Sequence, residues 1–247
     1  MAWLLIDNSN SRTKFRLGNA RGLMEWSAVV PTEDLGVPSL QALTGGLDFS
    51  AVAVASVVPE KEDVLRRFFE NHAAYHRLTH ESPLGYGFEI DRPEQVGHDR
   101  LANVVALKER YHAPGIAIDF GTAVTFSVMT AKGNFAGGVI APGMDCMTDY
   151  LASKTAQLPR VKPERYESAI GKTTQEALRI GVVAGHRGMI REILHEIVSE
   201  IGGGASVVAT GGGATFAAQG LPEISSVDLD LTLEGLRLVA GRVFSVE

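Results

Sequence analysis

The sequence is short of several features, and each shortage excludes a class of protein. Cysteine occurs once in 247 residues, at Cys146, so no internal disulfide can form and a reducing cytosol is the expected compartment. We expect Cys146 to be a small buried apolar residue. Acidic residues outnumber basic ones by 29 to 23, and the net charge of −6 argues against general nucleic-acid binding, which needs a basic surface. An acidic protein can still hold an anionic small substrate in a local basic site.

Long apolar runs are also lacking. No uninterrupted run approaches the ~20 residues that span a bilayer, so we expect no membrane-spanning segment. The apolar residues 2–6 meet Asp7 at once and are too few for the core of a secretory signal peptide. The chain is 45% hydrophobic and 21% charged, a globular composition that allows one large domain or two small ones. These features predict a cytoplasmic protein without membrane or nucleic-acid partners.

Several familiar catalytic motifs are missing. Residues 171–173 (Gly-Lys-Thr) imitate the end of a phosphate-binding P-loop, but Tyr166 stands where that loop needs its first glycine. The glycines at 211–213 do not form a dinucleotide fingerprint, because Phe216 occupies its last position. Residues 195–196 (His-Glu) lack the second histidine of a zinc protease, and there is no Gly-x-Ser-x-Gly elbow.

The sequence does contain one short pattern twice, about half a chain apart. Residues 5–14 and 118–126 each combine an apolar run ending in aspartate, a turn of small polar residues and a second alternating run. This pattern suits a metal–phosphate complex, because the aspartates (Asp7 and Asp119) can face the metal while the turn donates to phosphate oxygens. One copy would indicate only a β-hairpin with aspartate in its turn. Two copies favour a duplicated domain with a nucleotide between the halves.

Strands and helices alternate in both halves, which predicts an α/β fold with mixed sheets and domains at 1–113 and 114–247. Besides the two aspartate hairpins, strands are predicted at 23–30, 51–58, 137–143 and around 207–208. Helices are predicted near 39–43, at 59–72, 93–111, 144–155, 174–201, from 214, and at 231–243. His72, His76 and His80 recur every four residues, but residues 78–83 look like strand and loop, which argues against a helical metal site.

The remaining polar residues suit phosphoryl transfer, which needs positioning and charge neutralisation more than covalent help. Lys14 could neutralise the transferred phosphate, and Asp7 could hold Mg²⁺ directly or through water. Asp99 could accept a proton from an attacking hydroxyl. Arg100 could pair with an anionic group of the acceptor, by a bidentate bond if that group is a carboxylate. Without the other motifs, an aspartate–arginine pair such as Asp99 and Arg100 is more often an ion pair on a helix surface than part of a functional site.

These motifs together resemble those of the type III pantothenate kinase family, a branch of the acetate and sugar kinase, Hsc70 and actin superfamily. Residues 7–14 resemble its Asp-x-Gly-Asn-Thr/Ser-x-x-Lys phosphate motif, and residues 97–100 its Gly-x-Asp-Arg motif. Residues 119–125 are similar to its Asp-Phe-Gly-Thr-Ala-x-Thr motif, and residues 137–143 to its Gly-Gly-x-Ile-x-Pro-Gly segment. The motif order is kept over nearly the whole chain. The resemblance implies two ribonuclease H-like, actin-like ATPase domains.

The resemblance also implies an activity: ATP-dependent phosphorylation of pantothenate, the first step of coenzyme A synthesis, with Asp99 as general base. It implies a homodimer, Mg²⁺, and a monovalent cation (potassium or ammonium) bound by Asp119. The implied pantothenate contacts are Gly97, His98, Asp99, Arg100 and, across the dimer interface, Thr174. The implied ATP contacts are Asp7, Asn8, Ser9, Asn10, Ser11, Arg12, Thr13, Lys14 and Thr122.

Four residues depart from the family pattern: Ser9 replaces glycine, Ile90 tyrosine, His98 alanine and Thr173 asparagine. Ser9 would be strained if its turn requires a positive φ. Ile90 and His98 motivate an alternative, a kinase for another small hydroxy acid. Ser9 motivates a second alternative, a non-catalytic nucleotide-binding or regulatory protein on the same fold. The charged residues are all present, which favours an active pantothenate kinase.

Overall fold

The structure, a computed structural model, describes residues 1–245 and contains two five-stranded sheets. The first sheet has the spatial order β3-β2-β1-β4-β5. Its strands are β1 (Trp3–Asn8), β2 (Arg12–Asn19), β3 (Gly22–Pro31), β4 (Ala51–Ser56) and β5 (Ala74–Arg77). The first three strands form an antiparallel meander, and β4 and β5 continue the sheet in parallel with β1.

The second sheet repeats this connectivity, with the spatial order β10-β9-β6-β7-β8. Its strands are β6 (Gly115–Phe120), β7 (Ala123–Met129), β8 (Phe135–Pro142), β9 (Ser206–Thr210) and β10 (Ser226–Val227). Again three strands form a meander and the last two run parallel to the first. The repeated plan confirms the predicted duplicated α/β fold with mixed sheets.

Seven α-helices occur in the described residues, and most lie where the sequence predicts them. They are α1 (Val37–Thr44), α2 (Pro59–Phe69), α3 (His98–Arg110), α4 (Met144–Lys154), α5 (Thr174–Ile201), α6 (Ala214–Ala218) and α7 (Leu231–Phe244). The predicted start of α3 at Pro93 is wrong. Residues 93–95 form one 3-10 turn, and Val96 and Gly97 are extended before the helix begins.

Two smaller predictions also need correction. The short strand β5 was not predicted, and α2 ends at Phe69 rather than near His72. Cys146 is half-buried rather than part of the core, and its Sγ lies 3.1 Å from the carbonyl oxygen of Thr122. His76 lies in β5, so the three spaced histidines do not share a helix.

The two sheets meet at a continuous apolar core built around α3 and α7. This cluster contains Leu5 and Ala53 from the first sheet, Ala117 and Val208 from the second, and Leu236 from α7. Helix α7 comes from the end of the described chain yet packs against β1 and β4 of the first sheet. All strands of the first sheet therefore precede residue 113 and all strands of the second follow it, whereas α7 lies in the second half of the sequence and packs against the first sheet. Within residues 1–245, no helix combines the length and apolarity needed to cross a membrane.

Candidate active site

The first half of the site is the hairpin that joins β1 to β2. Asp7 lies near the end of β1 and is paired in register with Lys14 on β2. The Lys14 Nζ is 3.6 Å from Asp7 Oδ2, and the Ser9 hydroxyl donates to Asp7 Oδ1 at 3.0 Å. Burial raises the pKa of Asp7, while Lys14 and the Ser9 hydroxyl act to lower it. The carboxylate is therefore held in place but lacks full charge compensation.

The second half is the matching hairpin between β6 and β7. Asp119 lies near the end of β6, at the position that Asp7 has in β1. Burial, and then the charges of Asp99 and Asp7, raise the pKa of Asp119 to about 7, while a hydrogen bond from Asn103 acts to lower it. Gly211 packs against this carboxylate with a φ of +87°, and a Cβ there would collide with Asp119 Oδ1.

The two hairpin turns face each other and are in direct contact. The hydroxyl groups of Ser11 and Thr122 share a hydrogen bond at 2.8 Å. The Arg12 guanidinium reaches toward Gly212, since a Cβ built on that glycine would lie 3.9 Å from its Nη1. The structure thus brings together the two hairpin turns of the repeated pattern. Both Asn10 and Arg12 are exposed there.

The N-terminus of α3 supplies the third carboxylate. Asp99 Oδ1 accepts a hydrogen bond from the backbone N–H of Arg100 at 2.8 Å. Burial raises the pKa of Asp99, and repulsion from Asp7 raises it further. Gly97 precedes the helix, and a Cβ there would lie 2.6 Å from Asp99 Oδ1. His98 is half-buried, and burial lowers the pKa of its ring.

Arg100 turns away from Asp99, so the helix-surface ion pair is not formed. Its Nη2 donates to the carbonyl of Phe126 at 3.0 Å, and its Nε to the Ser127 hydroxyl at 3.3 Å. The guanidinium carbon lies 5.6 Å from the centre of the Phe135 ring. Gly138 leaves room for it, because a Cβ at that position would come within 2.8 Å of Arg100 Nη2. A cation held this firmly suits recognition of a planar anion.

Ile90 borders the same region. Its Cγ2 would lie 3.3 Å from a Cβ built on Gly137, the first glycine of the segment next to Arg100. Thr174 is the first residue of α5 and lines a separate apolar cavity of about 330 Å³ between α4 and α5. Contacts within the described residues do not bring Thr174 into the carboxylate cluster.

Three buried or largely buried carboxylates (Asp7, Asp99 and Asp119) thus interact through their charges, and Lys14 offsets the charge of Asp7 and Asp119. Their mutual repulsion contributes to the raised pKa values of Asp99 and Asp119. Residues 1–245 contain no group of three or more His, Cys, Asp or Glu side chains that could together hold a metal ion. Mg²⁺ bound to a nucleotide suits such a site, because it keeps several waters and needs only one or two carboxylates besides phosphates.

Several residues of the site were missed from the sequence: Asn103, Ser127 and Thr32. Asn103 could have been found, since it lies one helical turn after Asp99 within the buried run from Leu101 to Leu107. Thr32 contacts the first turn from a distant part of the chain, and nothing local in the sequence indicates that contact.

Comparisons with known proteins agree with this geometry. A family model for type III pantothenate kinase matches residues 3–196. The type III pantothenate kinase of Akkermansia muciniphila is 43% identical over 98% of this chain and 99% of its own length. That of Methylacidiphilum infernorum is 39% identical over 96% of this chain and 87% of its own length.

Two solved structures show the fold at lower sequence identity. An activator of 2-hydroxyisocaproyl-CoA dehydratase from Clostridium difficile has a TM-score of 0.56 and 13% identity, over 100% of this chain and 98% of its own. An archaeal actin homolog has a TM-score of 0.53 and 12% identity, over 98% of this chain and 100% of its own. The fold is therefore that of the actin-like ATPases. On its motifs, its geometry and these full-length relatives, the chain belongs to the type III pantothenate kinase family.

Proposed function

We propose that this chain transfers the γ-phosphate of ATP to the primary hydroxyl of pantothenate, giving 4′-phosphopantothenate for coenzyme A synthesis. The observation that carries this proposal is the Asp99 carboxyl at the N-terminus of α3, which lies near enough to Asp7 and Asp119 for their charges to interact. The full-length relatives bear the name of this activity. They favour neither a non-catalytic protein nor a kinase for another hydroxy acid.

Asp99 acts as the general base in this proposal. Its pKa is raised by burial and by the nearby charge of Asp7, so its carboxylate is a stronger proton acceptor than an ordinary aspartate. The attacking hydroxyl gives its proton to this carboxylate as it bonds to the γ-phosphorus, and the bond to the bridging oxygen of ADP breaks. Phosphoryl transfer otherwise depends on positioning and charge, which the surrounding residues supply.

The phosphates of ATP occupy the two facing turns, residues 7–14 and Thr122. Lys14 neutralises phosphate charge, and Asp7 holds Mg²⁺ directly or through water. Asp119 holds a monovalent cation, potassium or ammonium, whose charge offsets the burial and the repulsion from Asp99 and Asp7 that raise the pKa of this carboxyl. These carboxylates exceed the local positive charge, which supports both assignments.

The acceptor site is assigned to Gly97, His98, Asp99 and Arg100, with Arg100 paired to the pantothenate carboxylate. The bonds to Phe126 and Ser127 support this assignment because they fix the guanidinium before substrate binds. We also propose a cytoplasmic homodimer of two-domain subunits, divided near residue 113, in which Thr174 reaches the partner's site.

A coupled assay of ADP release tests the proposal, with product identified by mass spectrometry. We expect pantothenate-dependent turnover that needs potassium or ammonium, and a fall of roughly 10²–10⁴-fold in kcat for Asp99→Asn. The exposed Asp48→Asn is the matched control and should retain full activity. Since a protonated Asp99 cannot accept a proton, kcat/KM should fall as the pH drops through its raised pKa, above the usual 3.8.

Each result has a different meaning. A wild type that makes no phosphopantothenate with saturating substrates would overturn the proposed function. Full turnover by Asp99→Asn would keep the activity and remove the role of Asp99. Turnover that is indifferent to monovalent cations would remove the role of Asp119.

A further inference from the structure

A buried chain of hydrogen bonds runs beneath the first phosphate turn. The Ser56 hydroxyl donates to Asn8 Oδ1 at 2.7 Å, and Asn8 Nδ2 donates to Thr13 Oγ1 at 2.8 Å. Thr13 Oγ1 and Thr32 Oγ1 are 3.0 Å apart. The Thr32 hydroxyl then donates to the carbonyl oxygen of Ser9 at 2.7 Å. The chain therefore ends on the backbone of the turn.

The direction of donation in this chain is fixed. Each hydroxyl has one hydrogen, and Thr32 gives its hydrogen to the Ser9 carbonyl. Thr32 must therefore accept from Thr13 in their mutual contact, and Thr13 in turn accepts from Asn8. Asn8, Thr13 and Thr32 are at most 3% exposed, so bulk water cannot replace a lost partner.

Thr32 holds the turn by a second bond as well. Its backbone N–H donates to the carbonyl of Ser11 at 3.1 Å. The cis peptide in residues 1–245 is Ala113–Pro114, so the peptide bonds that follow Ser9 and Ser11 are trans. In a trans peptide the C=O and N–H groups point in opposite directions. Because both carbonyls point toward Thr32, the N–H groups that follow them, those of Asn10 and Arg12, point away from Thr32, and both residues are exposed.

We propose that Thr32 is a positioning residue for the phosphoryl donor. By holding the carbonyls of Ser9 and Ser11, it aims the backbone N–H groups of Asn10 and Arg12 at the phosphates of ATP. Backbone N–H groups that converge in this way form an anion-binding concavity. Asn8 and Thr13 then contribute to ATP binding indirectly, as links in the buried series of hydrogen bonds, with their side chains turned away from the nucleotide. This inference rests on the proposed function only in taking ATP as the ligand.

The test compares two substitutions of Thr32 in the full-length protein. Thr32→Val has nearly the same shape, loses the hydroxyl and keeps the backbone bond to Ser11, whereas Thr32→Ser keeps the hydroxyl. ATP binding is measured by titration calorimetry with Mg²⁺ and without pantothenate, and steady-state kinetics follow. We expect Thr32→Val to raise the Kd and KM for ATP roughly tenfold, the scale of one or two lost buried hydrogen bonds. The KM for pantothenate should stay unchanged, and Thr32→Ser should bind ATP within about twofold of wild type.

Thr44→Val is the matched control. Thr44 is also a buried threonine of the first half, but its hydroxyl donates to Leu40 within α1, away from the site. This variant should lose stability without any change in ATP affinity. If Thr32→Val does not fold, Thr13→Val can be used instead. It removes the hydroxyl that precedes Thr32 in the series of hydrogen bonds and should weaken ATP binding by roughly threefold.

The inference is overturned if folded Thr32→Val binds ATP as tightly as wild type, or if Thr44→Val weakens binding equally. If Thr32→Val does not fold, an unchanged ATP affinity in Thr13→Val would overturn the inference. The proposed function fails separately, because a wild type that binds ATP but makes no phosphopantothenate still allows the calorimetric comparison.

Discussion

Ser9 shows what one departure from the family pattern does to the phosphate turn. The strain expected if this turn required a positive φ does not arise, because only glycines have a positive φ in residues 1–245. The turn is instead closed by a bond from the Ser9 N–H to the Arg12 carbonyl at 3.2 Å. The side chain adds a contact that glycine cannot make, the hydrogen bond to Asp7.

We therefore predict that Ser9→Gly weakens the site rather than relieving it. Loss of the hydroxyl removes a donor that lowers the pKa of Asp7, and glycine loosens the turn. The KM for ATP should rise roughly tenfold, the lower end of the range for one hydrogen bond to a carboxylate. Ser9→Ala separates the causes because it lacks the hydroxyl but keeps the Cβ. An unchanged KM in Ser9→Ala would show that the hydroxyl has no role.

Helix α3 is the element that connects the carboxylate cluster to the rest of the fold. It carries Asp99 and Arg100 in its first turn and Asn103 one turn later. Asn103 Oδ1 accepts from the Thr232 hydroxyl of α7 at 2.8 Å, and the Asn103 side chain acts to lower the pKa of Asp119. One buried amide thus joins three elements.

Replacing this amide tests its part in the site. Asn103→Leu keeps the volume but removes the donor to Asp119, and a hydrogen bond to a charged group contributes about 1.5–3 kcal/mol. We expect kcat to fall roughly tenfold to a hundredfold and half-activation by potassium to need a higher concentration. Thr232→Val, which only frees the amide to rotate, should show the same changes to a smaller degree. Equal kinetics in wild type and Asn103→Leu would contradict this role.

For individual helices, strands and turns, the sequence predicts features that depend on neighbouring residues and misses contacts between residues far apart in the chain. The two aspartate hairpins are predictable because the apolar alternation and the small polar residues of the turn occur in consecutive residues. The start of α3 is not, because Pro93 favours a helix start while Val96 and Gly97 are held extended before it. The contacts of Asn103 and Thr32 depend on residues far along the chain, so no local pattern reports them.

At the scale of the whole molecule, the two halves share a central core, and each half also has a buried cluster of its own. Leu5 and Ala53 of the first sheet lie in the same buried cluster as Ala117 of the second and Leu236 of α7. Arg237, also on α7, donates to the carbonyl of Asn19 at 3.0 Å and so ties the helix to the β2–β3 turn. A boundary near residue 113 divides the sheets, but α7 returns to complete the first half.

This arrangement predicts that the protein unfolds as one cooperative unit. Both tryptophans, Trp3 and Trp26, lie in the first half, so fluorescence reports that half, whereas far-ultraviolet circular dichroism reports helices and strands of both. In urea the two signals should give coincident transitions, and Leu236→Ala should destabilise both by about 2–5 kcal/mol, because it opens a cavity in the shared core. The exposed Leu229→Ala is the matched control and should change the midpoint little. A fluorescence transition separated from the circular dichroism transition would mean that the first half unfolds independently. The packing of α7 would then hold the two halves together without coupling their unfolding.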